Sequence, residues 1–197
     1  RFGSQAMQAA SVWSSWNGDA NRMLFGKKFR LKSYGPRMLL RYETLGTGSL
    51  QWGDPVTVHH ALYEHMGEKP GVAFCSLFPD TDAPFGSLGD FFAVDFSHYP
   101  GGWTVNPPFI EELMLQVANK VLDYLNRDAS GACWFFVTFP CWSDSPGWQR
   151  LAESKHKLQQ LYLSPRKFTV QDCYGSVLLP RMALSIFAMG RRRCQHC

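Results

Sequence analysis

The sequence has no apolar run close to the ~20 residues that a bilayer crossing requires, so no membrane span is predicted. Its N-terminus lacks the charged-then-apolar pattern of a secretory leader, and no internal repeat or low-complexity tract interrupts it. These absences predict an intracellular chain, or part of one. Charge is also scarce: Asp, Glu, Lys and Arg make up 18% of the 197 residues against 45% hydrophobic. That balance excludes a highly charged disordered chain and predicts one globular domain with a sizeable core. Cysteine pairing is missing as well. Cys75, Cys133, Cys141, Cys173, Cys194 and Cys197 are scattered, several of them inside strand-like apolar runs, which predicts reduced core thiols and no disulfide framework.

Metal ligation lacks its usual pattern too. The terminal "CQHC" supplies Cys194, His196 and Cys197, but no second pair with matching spacing completes a four-ligand zinc site. A loose tail is the preferred reading, and no metal is predicted. His59, His60 and His65 fall in a predicted helix that starts at Asp54-Pro55 and runs to about Met66. Adjacent histidines on a helix point in different directions, and no carboxylate completes a motif, so packing or surface roles suit them better.

One sign of charge is absent from residues 22–41, "RMLFGKKFRLKSYGPRMLLR". Arg22, Lys27, Lys28, Arg30, Lys32, Arg37 and Arg41 meet no acid there, and Phe25, Phe29 and Tyr34 are interleaved with them. Basic groups neutralise phosphates while aromatic rings stack on unpaired bases, which suits a nucleic-acid strand. A solvated basic arm fits the same residues. A shorter basic cluster, "GRRRC", lies near the C-terminus and reads as a flexible end.

The apolar pattern predicts an α/β fold with a mostly parallel sheet. "GVAFCSLF" (71–78) reads as a buried strand, and Gly86 and Gly89 precede another at Phe91–Phe96. "GGWTVN" is a brief strand. After it, Ile110, Leu113, Met114, Val117, Val121, Leu122 and Leu125 recur at helical spacing, with Glu111 and Glu112 where a helix N-terminus favours acids. "ACWFFVTF" (132–139) is a continuous apolar strand of the kind buried in parallel sheets. Residues 103–139 are therefore a predicted strand–helix–strand unit, whose carboxyl-end loops "NPPF" and "PCW" open on one edge, where α/β sheets bind ligands. A further helix is predicted near 148–162. "FTVQDCY" and "ALSIFAMG" then close the domain as a C-terminal antiparallel strand pair.

Chemistry concentrates at Asn106-Pro107-Pro108-Phe109. A residue before proline is held extended, and Pro108 offers no N–H to draw in neighbouring carbonyls. The Pro107 carbonyl and the Asn106 amide oxygen thus converge as two acceptors, with Phe109 beside them. Two acceptors match the two hydrogens of an exocyclic amino group such as adenine N6. Holding both out of the ring plane would turn the nitrogen lone pair towards an electrophilic methyl, by positioning and electrostatics alone. The alternative is a stiff loop with Phe109 covering the core.

These stretches also resemble one family. "LLRYETL" (39–45), "FPDTDAPFGSLGDFF" (78–92), "NPPFIEELM" (106–114), "WFFVTFPCW" (134–142) and "HKLQQLYL" (156–163) look like the phosphorylated-CTD-interacting factors, cap-specific adenosine N6-methyltransferases, in the same order over about residues 38–190. The resemblance implies a Rossmann-like methyltransferase that uses S-adenosyl-L-methionine to methylate N6 of the adenosine beside an m7G cap on RNA. It implies that Asn106, Pro107, Pro108 and Phe109 are catalytic, with Asn106 and Pro107 also edging the donor. Phe109, Glu111 and Trp142 would contact the substrate, together with Lys27, Lys28 and Arg30 of the basic stretch. Asp80, Asp82, Phe85, Gly86 and Ser87 are placed near the cofactor or the cap, or else form a solvent-facing turn. The implied layout is a basic segment at 1–37, a methyltransferase domain at 38–190 and a basic tail at 191–197. The family's WW module is not visible, because Trp13 and Trp16 are too close together for one. Partners would be capped RNA and the phosphorylated RNA polymerase II tail, and the location nuclear. Alternatives are N6-adenine methylation of internal RNA or DNA, or a non-catalytic module that docks RNA or that tail.

Overall fold

The computed structural model describes residues 88–128, 130–171 and 177–191. Two compact units divide the chain: residues 1–94 with 170–178, and residues 95–169 with 179–197. The second unit holds the candidate corner. Its strands are β1 (Gly101–Val105), β2 (Cys133–Pro140) and β3 (Lys157–Leu163). Helix α1 (Glu111–Arg127) joins β1 to β2, and α2 (Pro146–Ala152) joins β2 to β3. In the first unit, β4 (Val170–Gln171) pairs antiparallel with β5 (Val177–Leu178). Strand β6 (Leu184–Met189) then completes the sheet of the second unit. No helix among the described residues is long and apolar enough to cross a membrane.

The predicted strand–helix–strand unit is present, with β1 parallel to β2 and Val105 level with Val137. The Rossmann-like, mostly parallel sheet is not. The observed sheet is small and mixed, in the order β1-β2-β6-β3, and only its first neighbouring pair is parallel. The predicted C-terminal pair is corrected among the described residues: β6 lies antiparallel between β2 and β3, while Val170–Gln171 of "FTVQDCY" pairs with Val177–Leu178. The helix predicted near 148–162 is also corrected. It ends at Ala152, and a turn closed by Lys157 N–H to the Ser154 carbonyl leads into β3. No strand forms over 91–96: residues 91–93 are a turn, where the Asp90 carboxylate accepts the Phe92 amide, and Phe96–His98 is a short 3-10 helix, where the Asp95 carboxylate accepts the Ser97 amide, each at 3.0 Å.

The core lies between one face of the sheet and the two helices. Phe135, Val137 and Phe139 of β2 stand opposite Met189, Phe187 and Ser185 of β6, and all six are fully buried. Helix α1 covers them with Met114, Val117, Ala118, Val121, Tyr124 and Leu125; of the predicted stripe, Met114, Val117, Val121 and Leu125 are buried, Leu113 and Leu122 are half-buried, and Ile110 is exposed. Phe96 meets Tyr124 and Phe135 edge-on at 5.6 and 5.1 Å, while Trp148 of α2 meets Phe187 at 5.6 Å. Burial raises the Tyr124 hydroxyl pKa, and that hydroxyl donates to Cys133 Sγ at 3.3 Å.

Candidate functional site

Two corners form where β1 and β2 end. After Val105 the chain turns through Asn106-Pro107-Pro108-Phe109, and the Ile110 N–H donates to the Pro108 carbonyl at 2.8 Å. Among the described residues, no backbone N–H reaches the Pro107 carbonyl. The Ile110 N–H goes to the Pro108 carbonyl instead, and the two prolines have no N–H to give. Helix α1 then starts without a side-chain cap, with Glu111 and Glu112 exposed in its first turn.

The second corner repeats this device. Pro140 is the last residue of β2, and the Trp142 N–H donates to its carbonyl at 2.7 Å. Cys141 N–H bonds to the Ala183 carbonyl at 3.0 Å, and Ser145 N–H returns to the Trp142 carbonyl at 2.9 Å. Pro146 opens α2, where a missing N–H costs nothing. Because β1 and β2 are parallel neighbours, both corners open on one edge of the sheet, as the sequence predicts.

Beneath the second corner, the fully buried Ser185 hydroxyl gathers three elements. Trp148 Nε1 of α2 and Gln160 Nε2 of β3 donate to it at 3.3 and 3.2 Å. Both are pure donors and occupy its two lone pairs, so the hydroxyl proton points to Cys141 Sγ, 3.1 Å away. Ser145 Oγ is fully buried and lacks a hydrogen-bond partner among the described residues. Sequence pattern flags neither serine, since nothing in a run of residues tells which hydroxyl faces a core.

The structure places the predicted residues unequally. Asn106, Pro107 and Trp142 are half-buried, Pro108 is buried, and Glu111 is exposed. Phe109 is 8% exposed and belongs to the apolar core, so most of its ring is already covered. Asp80, Asp82, Phe85, Gly86, Ser87, Lys27, Lys28 and Arg30 lie outside the described residues, as do the three histidines of the predicted helix and the terminal "CQHC". Among the described residues, no cluster of three or more His, Cys, Asp or Glu could hold a metal ion.

Comparison with known proteins gives this corner a context. The family model described as "Phosphorylated CTD interacting factor 1 WW domain" matches residues 27–172, a span that includes both corners and α1. The chain is similar to the mRNA (2′-O-methyladenosine-N(6)-)-methyltransferase of Homo sapiens, 33% identical over 145 residues, covering 64% of this chain and 20% of that protein. The enzyme of the same name from Mus musculus is 38% identical over the same length and shares. The chain therefore spans about a fifth of the length of the curated relatives it matches. With the family model matched across most of its length, the chain belongs to the phosphorylated CTD interacting factor 1 family.

Proposed function

We propose that this chain carries the adenine pocket of an S-adenosyl-L-methionine-dependent RNA N6-methyltransferase acting on the adenosine beside an m7G cap. The observation that carries this reading is the pair of proline-closed corners on one sheet edge, one of them Asn106-Pro107-Pro108-Phe109. The names of the similar human and mouse proteins support the substrate.

The chemistry follows from the corner. Adenine N6 is a poor nucleophile because its lone pair is delocalised into the ring. The Pro107 carbonyl and the Asn106 amide oxygen accept its two hydrogens and hold the nitrogen nearer tetrahedral. The lone pair is then aimed by positioning, and no strong base is required before attack. Trp142 walls the base from the neighbouring corner, and the exposed edge of Phe109 completes the contact. Glu111 lies on the first turn of α1, at the pocket rim. Bound S-adenosyl-L-methionine would supply the electrophilic methyl. Asn106 and Pro107 fit beside it, since carbonyl and amide oxygens at a strand end suit a positively charged sulfonium. Asp80, Asp82, Phe85, Gly86 and Ser87 would hold the rest of the donor or the cap, and Lys27, Lys28 and Arg30 the RNA phosphates. The proposed location is nuclear, where capped transcripts are made.

Internal RNA or DNA adenine is the alternative substrate. A second reading, a module that only docks the phosphorylated RNA polymerase II tail, is favoured by the description of the matching family model. Transfer of labelled methyl to capped and uncapped RNAs beginning with adenosine, with nucleoside analysis, tests the proposal. N6-methylation confined to capped RNA supports it, whereas equal labelling removes cap dependence. Calorimetry with S-adenosylhomocysteine separates the second reading, because a docking-only module gives no heat.

A further inference from the structure

We infer that Gly147 is a positioning residue for the base-binding wall: it seats α2 directly on the backbone of α1 and so fixes Trp142 against the Asn106–Phe109 corner. The inference rests on the adenine-pocket reading above. A methyl group built on Gly147 would lie 2.8 Å from the Leu115 amide nitrogen and the Met114 carbonyl carbon, and 3.0 Å from the Met114 oxygen. These are backbone atoms in the second turn of a helix, so they cannot swing aside as a side-chain tip could. Only glycine permits this approach.

Each corner is joined to that contact by short hydrogen-bonded steps. On one side, the Ile110 N–H bonds to the Pro108 carbonyl and the Met114 N–H to the Ile110 carbonyl, both at 2.8 Å. On the other, the Ser145 N–H bonds to the Trp142 carbonyl at 2.9 Å, two residues before Gly147. Two side-chain ties keep α2 from tilting about the contact. Arg150 Nη1 donates to Asn119 Oδ1 of α1, and Trp148 Nε1 donates to the buried Ser185 hydroxyl of β6. The Trp142 N–H is held by the Pro140 carbonyl at the end of β2, so a shift of α2 away from α1 reaches Trp142 through the Ser145–Trp142 bond and is expected to turn its ring out of the base-binding wall.

The test isolates the base-dependent part of RNA affinity. Anisotropy titrations compare a 3′-labelled, m7G-capped RNA beginning with adenosine against the same RNA with an abasic first nucleotide. For the wild-type chain, the expected ratio of dissociation constants is at least about 5-fold, the lower end of an aromatic stacking contact. Gly147→Ala and Trp142→Ala should each bring the ratio towards one. In the double variant, Gly147→Ala should add nothing to Trp142→Ala, because it acts through that ring. A merely structural glycine would lower the melting temperature and the active fraction, yet leave the ratio of the folded protein unchanged. That result overturns the inference alone, whereas a wild-type ratio of one overturns the pocket reading and the inference with it. Should Gly147→Ala yield no folded protein, the exposed Arg150→Ala, which releases the Asn119 tie, should reduce the ratio about twofold. An undiminished ratio there overturns the inference equally.

Discussion

Phe109 is asked to do two things that its surroundings set against one another. At 8% exposure it is a core side chain, yet the proposed pocket requires a ring edge to meet the adenine. Truncation of a buried phenylalanine to alanine costs about 3–5 kcal/mol, and its place at a strand–helix junction favours the lower figure. For a chain of this length, ~3 kcal/mol corresponds to a fall of roughly 6–12 °C in melting temperature. Phe109→Leu keeps most of the buried apolar volume and should cost only about 1 kcal/mol, but it removes the aromatic face. Lost stacking of about 1–3 kcal/mol weakens RNA binding roughly 5- to 150-fold. The assay is a pair of measurements on each variant: thermal unfolding followed by circular dichroism, and capped-RNA affinity by anisotropy. The alanine variant should lose both stability and affinity, and the leucine variant chiefly affinity. An alanine variant melting within about 2 °C of wild type would refute the core placement. A leucine variant with wild-type affinity would refute the stacking role and leave Phe109 as core alone.

Three further outcomes are expected. Asn106→Ala removes the acceptor proposed for the reacting nitrogen, so turnover should fall roughly 10²–10³-fold with RNA affinity little changed; unchanged single-turnover rates would remove that role. Gly102→Ala would place a methyl 1.6 Å from Trp134 Cη2, forcing the indole off the sheet at a cost of about 1–3 kcal/mol, visible as a lower urea midpoint and a shift in tryptophan emission. Burial, together with the Lys155 and Arg191 charges, holds His156 below its usual pKa of 6.5, so around that pH the unfolded chain binds more protons than the folded one. Stability should therefore fall as pH drops through about 6.5, levelling off below the folded-state pKa, and His156→Gln should flatten this part of a urea-midpoint profile.

Local pattern made the strand–helix–strand unit legible. The acids at Glu111 and Glu112 and the apolar spacing from Ile110 to Leu125 mark a helix, observed at Glu111–Arg127. The continuous run at 132–139 marks a buried strand, observed at Cys133–Pro140. What pattern could not supply was pairing. Leu158, Leu161 and Tyr162 have the spacing of a helical face, but they lie on an edge strand, 42–57% exposed. A register shift between Lys157 and Gln159 further breaks the alternation that would have identified a strand. The "ALSIFAMG" run reads correctly as a strand, but its place between β2 and β3 depends on hydrogen bonds to residues far away in the chain. The site divides in the same way. The Asn106–Phe109 corner is a local motif of rigid backbone, whereas Ser185 and Gly147 matter through what folding brings to them: three polar partners for one, the α1 backbone for the other.

The adenine-pocket reading is tested by methyl transfer from labelled S-adenosyl-L-methionine to short RNAs beginning with adenosine, m7G-capped and uncapped. N6-methyladenosine is expected at the first nucleotide of the capped RNA, and its loss in Asn106→Ala. Absence of both transfer and donor binding in the intact chain would contradict that reading and leave the corner as a structural turn in a docking module.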